Sequence, residues 1–512
     1  MSGSALPRAA NKPGVPPLMV AVLVSFGTLF EVANTTGIAI GLRTIAGDLG
    51  SAPEEADTIL TAYLVAQAAI LPLSGWAAVY FGRKRFYITC VAMFTLASFL
   101  CSIAWSMESL IAFRILQGAA AAGNAASESS LIADSLPPEK RGLGFAIYGM
   151  AVVVGPTFGP IYGGWVTENY SWNWIFLLNV PVGIAAVSAC IALLQDPPAV
   201  REETRKRRAR GIRLDWFGFL LAAGGLALVS FVLDKGQTKD WFGSSPILWA
   251  TVAGCIMLAL LPLWELLARD PVLNFRLFNN RNPAIATVLL FVTGTILFGA
   301  PTIFPLLLQQ EFGYTATLAG MVNGLGGLSV FVLLMFVGQL TGKVATRTLV
   351  GTGFVAVTIG MYLSSKIYPD MAFWQITLIS MAQSIGIAVI YSPLQSHSFI
   401  GVPGHLREQV GAFSAMAVNL GGSVGTAVGI TLLERGRQSF REDLVPYASP
   451  YRDEYRQALE GYGSLEAFDQ VVTSQASVLS FQSVFFTLAV IALCCLPLLL
   501  FLKGKPGPED QG

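Results

Sequence analysis

Charge is what this sequence has least of. Only 12% of its 512 residues are Asp, Glu, Lys or Arg, against roughly 25% in a soluble domain, so the chain lacks the ions to clothe an ordinary water-facing surface. A formal net charge of +1 excludes the basic face or stripe that grips nucleic acid, and no nucleic-acid partner is expected. Histidine is nearly absent, with His397 and His405 the two examples, and neither has a second ligand or a nucleophile nearby. The six cysteines, Cys90, Cys101, Cys190, Cys255, Cys494 and Cys495, fall in apolar segments without C-x-x-C spacing and read as inert fillers. With no metal constellation, no nucleophile beside a base and no phosphate loop, neither an enzyme nor a bound cofactor is expected.

What is present is apolar. Hydrophobic residues make up 54% of the chain and the mean hydropathy is +0.61, which implies an all-α polytopic membrane protein. Stretches of about 20 apolar residues each suffice to cross a bilayer. They place spans near 18–42, 56–80, 86–105, 108–134, 142–167, 173–195, 214–234, 247–268, 284–309, 317–341, 348–365, 372–398, 409–433 and 480–502. The first follows a polar, Pro-rich tail, Met1 to Pro17, and is too long for a cleaved signal segment.

Every even-numbered connection is basic: Arg83, Lys84 and Arg85; Lys140 and Arg141; Arg201 to Arg213; Arg269, Arg276 and Arg281; Lys343 and Arg347; Arg407; Lys503 and Lys505. Because cytoplasmic loops hold the excess of Lys and Arg, both termini are expected in the cytoplasm, with residues 1–17 and 503–512 as tails. Connection 434–478 is the long exception, mixing both charges with Tyr451, Tyr455, Leu459 and Tyr462 at helix-like intervals. It reads as a helical excursion on the extracytoplasmic side, with a disordered loop as the alternative.

The turn GWAAVYFGRKR from Gly75 is echoed by GQLTGKVATR from Gly338, as expected of a transporter built from two six-span bundles. The division is then 18–195 for the first bundle, 196–213 for a basic linker, 214–268 for two inserted helices and 284–502 for the second bundle.

Three ionisable residues lie inside spans, where a charge costs about 2.5 to 3.5 kcal/mol on insertion scales. Glu31 is midway along span 1; Arg114 and Glu128 are both in span 4. If spans 1 and 4 adjoin a cavity, Glu31 and Arg114 form a pair that holds and releases a proton as water access changes; a static ion pair is the alternative. Glu128 is either a second proton site or a polar residue near the inner mouth. Asp134, Glu168, Asp215, Asp234, Glu265 and Glu311 fall at span ends and are expected to be solvated by snorkelling.

Asn34, Tyr63, Gln67, Gln117, Asn124, Phe158, Phe304, Asn323, Gln383, Tyr391 and Asn419 are polar or aromatic residues at depth. Together they suit a cavity for amphipathic molecules; singly, each is equally interhelical glue. Span 5 carries GPTFGPIYGG, from Gly155 through Pro156, Gly159, Pro160 and Gly163 to Gly164. Pro and Gly disfavour helix by about 3 and 1 kcal/mol, so the segment reads as a kinked helix packed closely on a neighbour, with an ordinary small-residue packing seam as the alternative.

Leu110-x-x-x-Arg114-x-x-Gln117-Gly118 resembles the Arg motif of the major facilitator superfamily. GPTFGPIYGG resembles its antiporter signature, and Gly75 to Arg85, with Gly82, Arg83 and Lys84, resembles its gating loop. With fourteen spans, ENYSWNWIFLLNVPVG from Glu168 and GYTAT at Gly313, residues 18–503 resemble the fourteen-span drug:proton antiporters of EmrB/QacA type, on the EmrB side because of the long loop before span 14. The resemblance implies a major facilitator fold with two extra helices. It also implies proton-coupled export of hydrophobic or amphipathic drugs across a bacterial inner membrane by alternating access, with Arg114 in the proton relay and the span 5 glycines and prolines as hinge and seal. It further implies a periplasmic adaptor and an outer-membrane channel as partners, with 434–478 as the docking surface. A dedicated exporter of a lipid, fatty acid, siderophore or antibiotic, or a non-transporting sensor or scaffold, are the alternatives. Two departures stand out. Asn34 occupies the position of the family's span 1 Asp, with Glu31 one turn earlier, and Val79 occupies that of the gating-loop Asp.

Overall fold

The computed structural model describes residues 16–194, 201–202, 204–205, 214–341, 343–445 and 465–502. Most of the 196–213 linker, both tails, and Tyr451, Tyr455, Leu459 and Tyr462 lie outside them. The described chain is helical throughout: α1 Pro17–Asp48, α2 Pro53–Phe81, α3 Arg83–Ser102, α4 Met107–Ser135, α5 Pro138–Asn169, α6 Asn173–Leu193, α7 Trp216–Lys235, α8 Ser245–Leu267, α9 Arg281–Glu311, α10 Ala316–Leu340, α11 Thr346–Ser364, α12 Phe373–Ser398, α13 Arg407–Leu444 and α14 Leu465–Cys494.

Local chemistry sets several boundaries. Pro17, Pro53 and Pro138 open their helices, where a missing N–H goes unused. Ser106 and Ser109 form a reciprocal capping box on α4, and Asp215, Asn280 and Thr315 cap α7, α9 and α10. Only Gly82 separates α2 from α3; its φ of 89° lies where a side chain would be strained, so the chain turns there in one residue.

Each expected span coincides with a helix. Eleven of them, or twelve with the bent α5, are long and apolar enough to cross a membrane. The other two are α4 and α11. In α4 the shortfall comes from Arg114, Gln117, Asn124, Glu128 and a run of serines, nearly all of them buried, because this helix faces protein on most sides.

Two bundles share one packing scheme. In the first, α1 packs on α5, α2 and α3 on α4, and α3 on α6; in the second, α9 packs on α13, α10 and α11 on α12, and α11 on α14. The halves meet where α5 lies on α10 and α12, and α13 on α2 and α4. Helices α7 and α8 pair outside this core, with α7 against α2, where Thr61 donates to Asp234.

The span 5 motif does bend its helix, by 48° between Lys140–Pro156 and Ile161–Asn169; the side chain of Pro160 lies outside the described ones. Its glycines form the crossing with α1. A Cβ at Gly159 would overlap Thr36 Oγ1 and lie 2.7 Å from the Ala33 carbonyl, and one at Gly163 would overlap the Gly37 backbone. Pro156 is buried in the same stretch and Gly164 is half-buried on the adjoining face.

At 38 residues, α13 is about 57 Å long at 1.5 Å per residue, against roughly 30 Å of hydrocarbon. Its last turns and the first turns of α14 therefore run on together past the bundle, tied by Arg437 to Ser477 at 3.1 Å and Arg441 to Asp469 at 2.9 Å. The two described stretches of 434–478 are thus helical.

Candidate functional site

Between the bundles lies a cavity of about 120 Å³ whose lining includes Glu31, Tyr63, Gln67, Glu128, Tyr148, Tyr391, Gln395 and Asn419. Helix α1 brings Glu31 to this wall, and the residue is almost wholly shielded, at 8% exposure. Asn124 of α4 donates to Glu31 Oε2 at 3.3 Å, and the Tyr63 hydroxyl of α2 lies 3.5 Å from Oε1. Glu128, one turn beyond Asn124 on α4, reaches the same cavity, with the Thr28 and Tyr148 hydroxyls as its neighbours.

Arg114 is fully buried, and the direct pair with Glu31 is not formed. Its guanidinium lies 4.2 Å from the centre of the Tyr63 ring and 5.9 Å from that of Phe176, a cation–π arrangement. Nε donates to the Ile59 carbonyl at 3.3 Å and Nη1 to Gln117 Oε1 at 2.5 Å, while Gln117 donates onward to Ser98 at 2.7 Å. Nη2 has no partner among the described residues. Tyr63 therefore stands between the acid and the base, with its ring on one and its hydroxyl toward the other.

Several residues expected on the cavity are elsewhere. Asn34 donates to the Ile175 carbonyl at 3.1 Å; three residues along a helix leaves it about 60° away from Glu31, facing α6. That contact needs an N–H, which an Asp carboxylate lacks. Gln117 is taken up by Arg114 and Ser98, and Gln383 bonds Ser364 between α12 and α11. Phe304 is buried against Phe485, with ring centres 5.8 Å apart. Phe158 is exposed and stacks on Tyr162, and Asn323 is half-buried away from the lining. Asn124 acts through Glu31 rather than on the cavity surface.

At the end of the bundle that carries the basic loops, the halves are clamped together. Arg83 bonds Asp134 at the end of α4 and the carbonyl of Gly404, and its Nε lies 3.5 Å from Glu408 at the start of α13. Arg407 reaches Asp134 at 2.7 Å, and Glu408, wholly buried, accepts from Ser127 at 2.7 Å and from Ser130. Gly75 of α2 rests against Gln409 beside it. Val79 thus leaves no gap in the clamp, because acids from α4 and α13 supply the charge. Sequence reasoning missed Glu408, whose only signal is an acid beside Arg407 at a helix start. Lys84 donates to the Ile191 carbonyl near the end of α6 at 2.9 Å.

The expectation that Asp134 is solvated is therefore corrected: its side chain is 6% exposed because two arginines enclose it. Glu265 is corrected too, being 1% exposed between α7 and α8. Of the histidines, His397 is buried within α12, and the His405 side chain lies outside the described ones.

Comparison with known proteins agrees with this architecture. The chain is 31% identical over 503 residues to the multidrug export protein EmrB of Haemophilus influenzae, covering 96% of this chain and 97% of the relative. It is 29% identical to the fatty acid resistance protein FarB of Neisseria gonorrhoeae, over 95% and 97% of the two chains. Among solved structures, the proton:xylose symporter XylE superposes with a TM-score of 0.60 at 14% identity, over 97% of this chain and 98% of that one, a likeness of fold. The family model described as Major Facilitator Superfamily matches residues 23–426, and with both bundles and the clamped interface in place, the chain belongs to the major facilitator superfamily.

Proposed function

We propose that this protein is a secondary active transporter that exports hydrophobic or amphipathic drugs and toxic compounds across a bacterial inner membrane in exchange for protons, by alternating access. The observation that carries this reading is likeness along nearly the whole chain to proteins named for multidrug export. Geometry supplies the working parts. Glu31 and Glu128 sit on a cavity between two halves, where a carboxylate can exchange a proton for a substrate, and Arg114 acts on Glu31 through Tyr63. The clamp of Arg83, Asp134, Arg407 and Glu408 closes the end with the basic loops, which the positive-inside rule makes cytoplasmic. In this conformation the path is sealed inward, and the cavity is smaller than the roughly 300–1,000 Å³ that drug-sized ligands occupy, so loading from the cytoplasm requires the clamp to open, and release requires the halves to part at the opposite end.

The projecting ends of α13 and α14 are the surface offered to a periplasmic adaptor, with an outer-membrane channel beyond it. Co-expression pull-down with and without residues 440–475 tests that partnership; equal capture would remove it. The transport reading is tested in proteoliposomes, where drug addition is expected to release a proton gradient. No drug-dependent pH change would sink it, and would leave a sensor or scaffold as the reading.

A further inference from the structure

On the side of the clamp, the cavity floor crosses from one bundle to the other. Glu128 stands two turns before the end of α4 and Gln395 one turn before the end of α12; Tyr148 of α5 and Tyr391 of α12 line the same cavity. Gln395 donates its amide nitrogen to the Tyr391 hydroxyl at 3.3 Å. The Tyr148 and Tyr391 rings lie 6.3 Å apart at 31°. The Tyr148 hydroxyl adjoins that of Tyr391 on one side and the Glu128 carboxylate on the other, with Ser129 beside it. None of the four is more than 5% exposed, so water does not compete for these groups. One atom of the series, Gln395 Oε1, has no partner among the described residues.

A hydroxyl both donates and accepts, and an amide does each through a different atom, so a series of this composition can point either way. With Glu128 ionised the direction is fixed: Gln395 donates to Tyr391, Tyr391 to Tyr148, and Tyr148 to the carboxylate. That last bond ends on a charged acceptor and is the stronger kind. With a proton on Glu128 the charge is gone and the series can reverse, Glu128 donating to Tyr148, Tyr148 to Tyr391, and Tyr391 to Gln395 Oε1. The unpartnered oxygen is the acceptor that the reversed direction uses. Hydroxyl rotations and one turn of the amide suffice, and the proton stays on Glu128.

We propose that Tyr148, Tyr391 and Gln395 are positioning residues that carry the protonation state of Glu128 across the bundle interface to α12. The ionised acid holds the halves together above the clamp, and its protonation loosens them. Glu31 of α1, Tyr87 of α3 and Cys190 of α6 also bear on Glu128, but they belong to the first bundle, whereas Tyr391 belongs to the second. The inference rests on the exporter reading above and adds a direction to it. A proton taken up while the basic end is closed weakens the closed floor, and so favours the return that opens toward the cytoplasm.

The test uses the full chain in nanodiscs, without drug, spin-labelled through Lys140→Cys and Lys343→Cys at two exposed positions of the basic end. The ratio of long to short label distances is followed from about pH 8 to about pH 5. With no further substitution, acid is expected to raise that ratio by about tenfold or more, the weight of one hydrogen bond to a charged group. Glu128→Gln should hold the high ratio throughout. Tyr391→Phe and Gln395→Leu should raise the ratio at high pH and cut the response to less than about threefold. Tyr391→Phe added to Glu128→Gln should change nothing more, because the two share one interaction. Phe145→Leu, which loosens only the neighbouring stack on Phe399, should raise the ratio at every pH and keep the response, which separates packing from relay. A full response in Tyr391→Phe and Gln395→Leu, a response that survives Glu128→Gln, or none in the parent protein overturns the inference. Drug-driven proton release by the parent protein in proteoliposomes is measured alongside. If it persists where the distances ignore pH, the exporter reading stands without this inference; if it is absent, that reading falls by itself.

Discussion

The hydroxyl of Tyr63 lies 3.5 Å from Oε1 of Glu31, and the same ring carries the Arg114 guanidinium at 4.2 Å. One side chain thus couples a buried acid to a buried base without letting them neutralise each other as an ion pair. Glu31→Gln keeps the shape and the Asn124 contact but cannot ionise, and is expected to lower proton-coupled efflux by about 100-fold or more with expression unchanged. Tyr63→Phe keeps the ring under Arg114 and loses only the hydroxyl, so a smaller loss, about tenfold, is expected. Drug-induced collapse of a pH gradient in inverted vesicles measures both; full activity in Glu31→Gln would move the proton to Glu128 or elsewhere.

Arg114 is expected to tolerate neither Ala nor Lys. Its plane lies on Tyr63 while Nε and Nη1 donate to Ile59 and Gln117, and a lysine ammonium offers no stacking plane and no fixed fork. Efflux by Arg114→Lys in the same assay is expected at the level of Arg114→Ala, with membrane insertion intact by surface labelling. Activity near that of the unaltered protein in the Lys variant would show that charge alone suffices.

How much of this was legible beforehand follows from what one dimension can record. Apolar length is a local property, so the expected spans match the helices of the structure, including α4, whose polar residues hide it from a hydropathy threshold. Pairing is not local. Glu31 and Arg114 were recognisable as buried charges, yet nothing in the letters says that Tyr63 intervenes. Asn34 shared a motif position with an acid, but its target, the Ile175 carbonyl, lies 141 positions on. Deep polar residues divide between cavity and glue by the face they occupy, which is why Gln67, Tyr391 and Asn419 reach the cavity whereas Gln117 and Gln383 bind neighbouring helices.

The α1–α5 crossing should be intolerant of added volume. Thr36 and the Ala33 carbonyl already fill the space in which a Cβ on Gly159 would stand, and overpacking of this kind costs about 1–3 kcal/mol. Gly159→Val is expected to lower the melting temperature of the purified protein and to suppress exchange. Gly164→Ala, whose Cβ would meet only Ile40 at 3.7 Å, is expected to leave both unchanged. Equal behaviour of the two variants would remove the close crossing as the reason for these glycines.

The clamp at the basic end makes the sharpest prediction, because its acids come from places the loop motif does not name. Glu408 is wholly buried and holds Ser127, Ser130 and Arg83 from the other half, so Glu408→Gln removes the negative charge that α13 presents to Arg83. Breaking a buried ion pair costs about 3–5 kcal/mol in the state that contains it. Here that state is the one closed at the basic end, and the opened state has nothing to lose. The equilibrium is therefore expected to move toward opening at that end. Spin labels at the exposed positions Lys140 and Lys343, in the first turn of α5 and just before α11, report it directly: Glu408→Gln should lengthen the distance between them, and Asp134→Asn should do the same because it removes the acid that Arg83 and Arg407 share. Restoring an acid at the loop position, Val79→Asp, should return the Glu408→Gln distance toward its original value if the charge has been relocated between helices. An unchanged distance in Glu408→Gln would mean that the apolar contacts of α5 with α10 and α12, the Phe145–Phe399 stack at 5.5 Å among them, hold the gate by themselves.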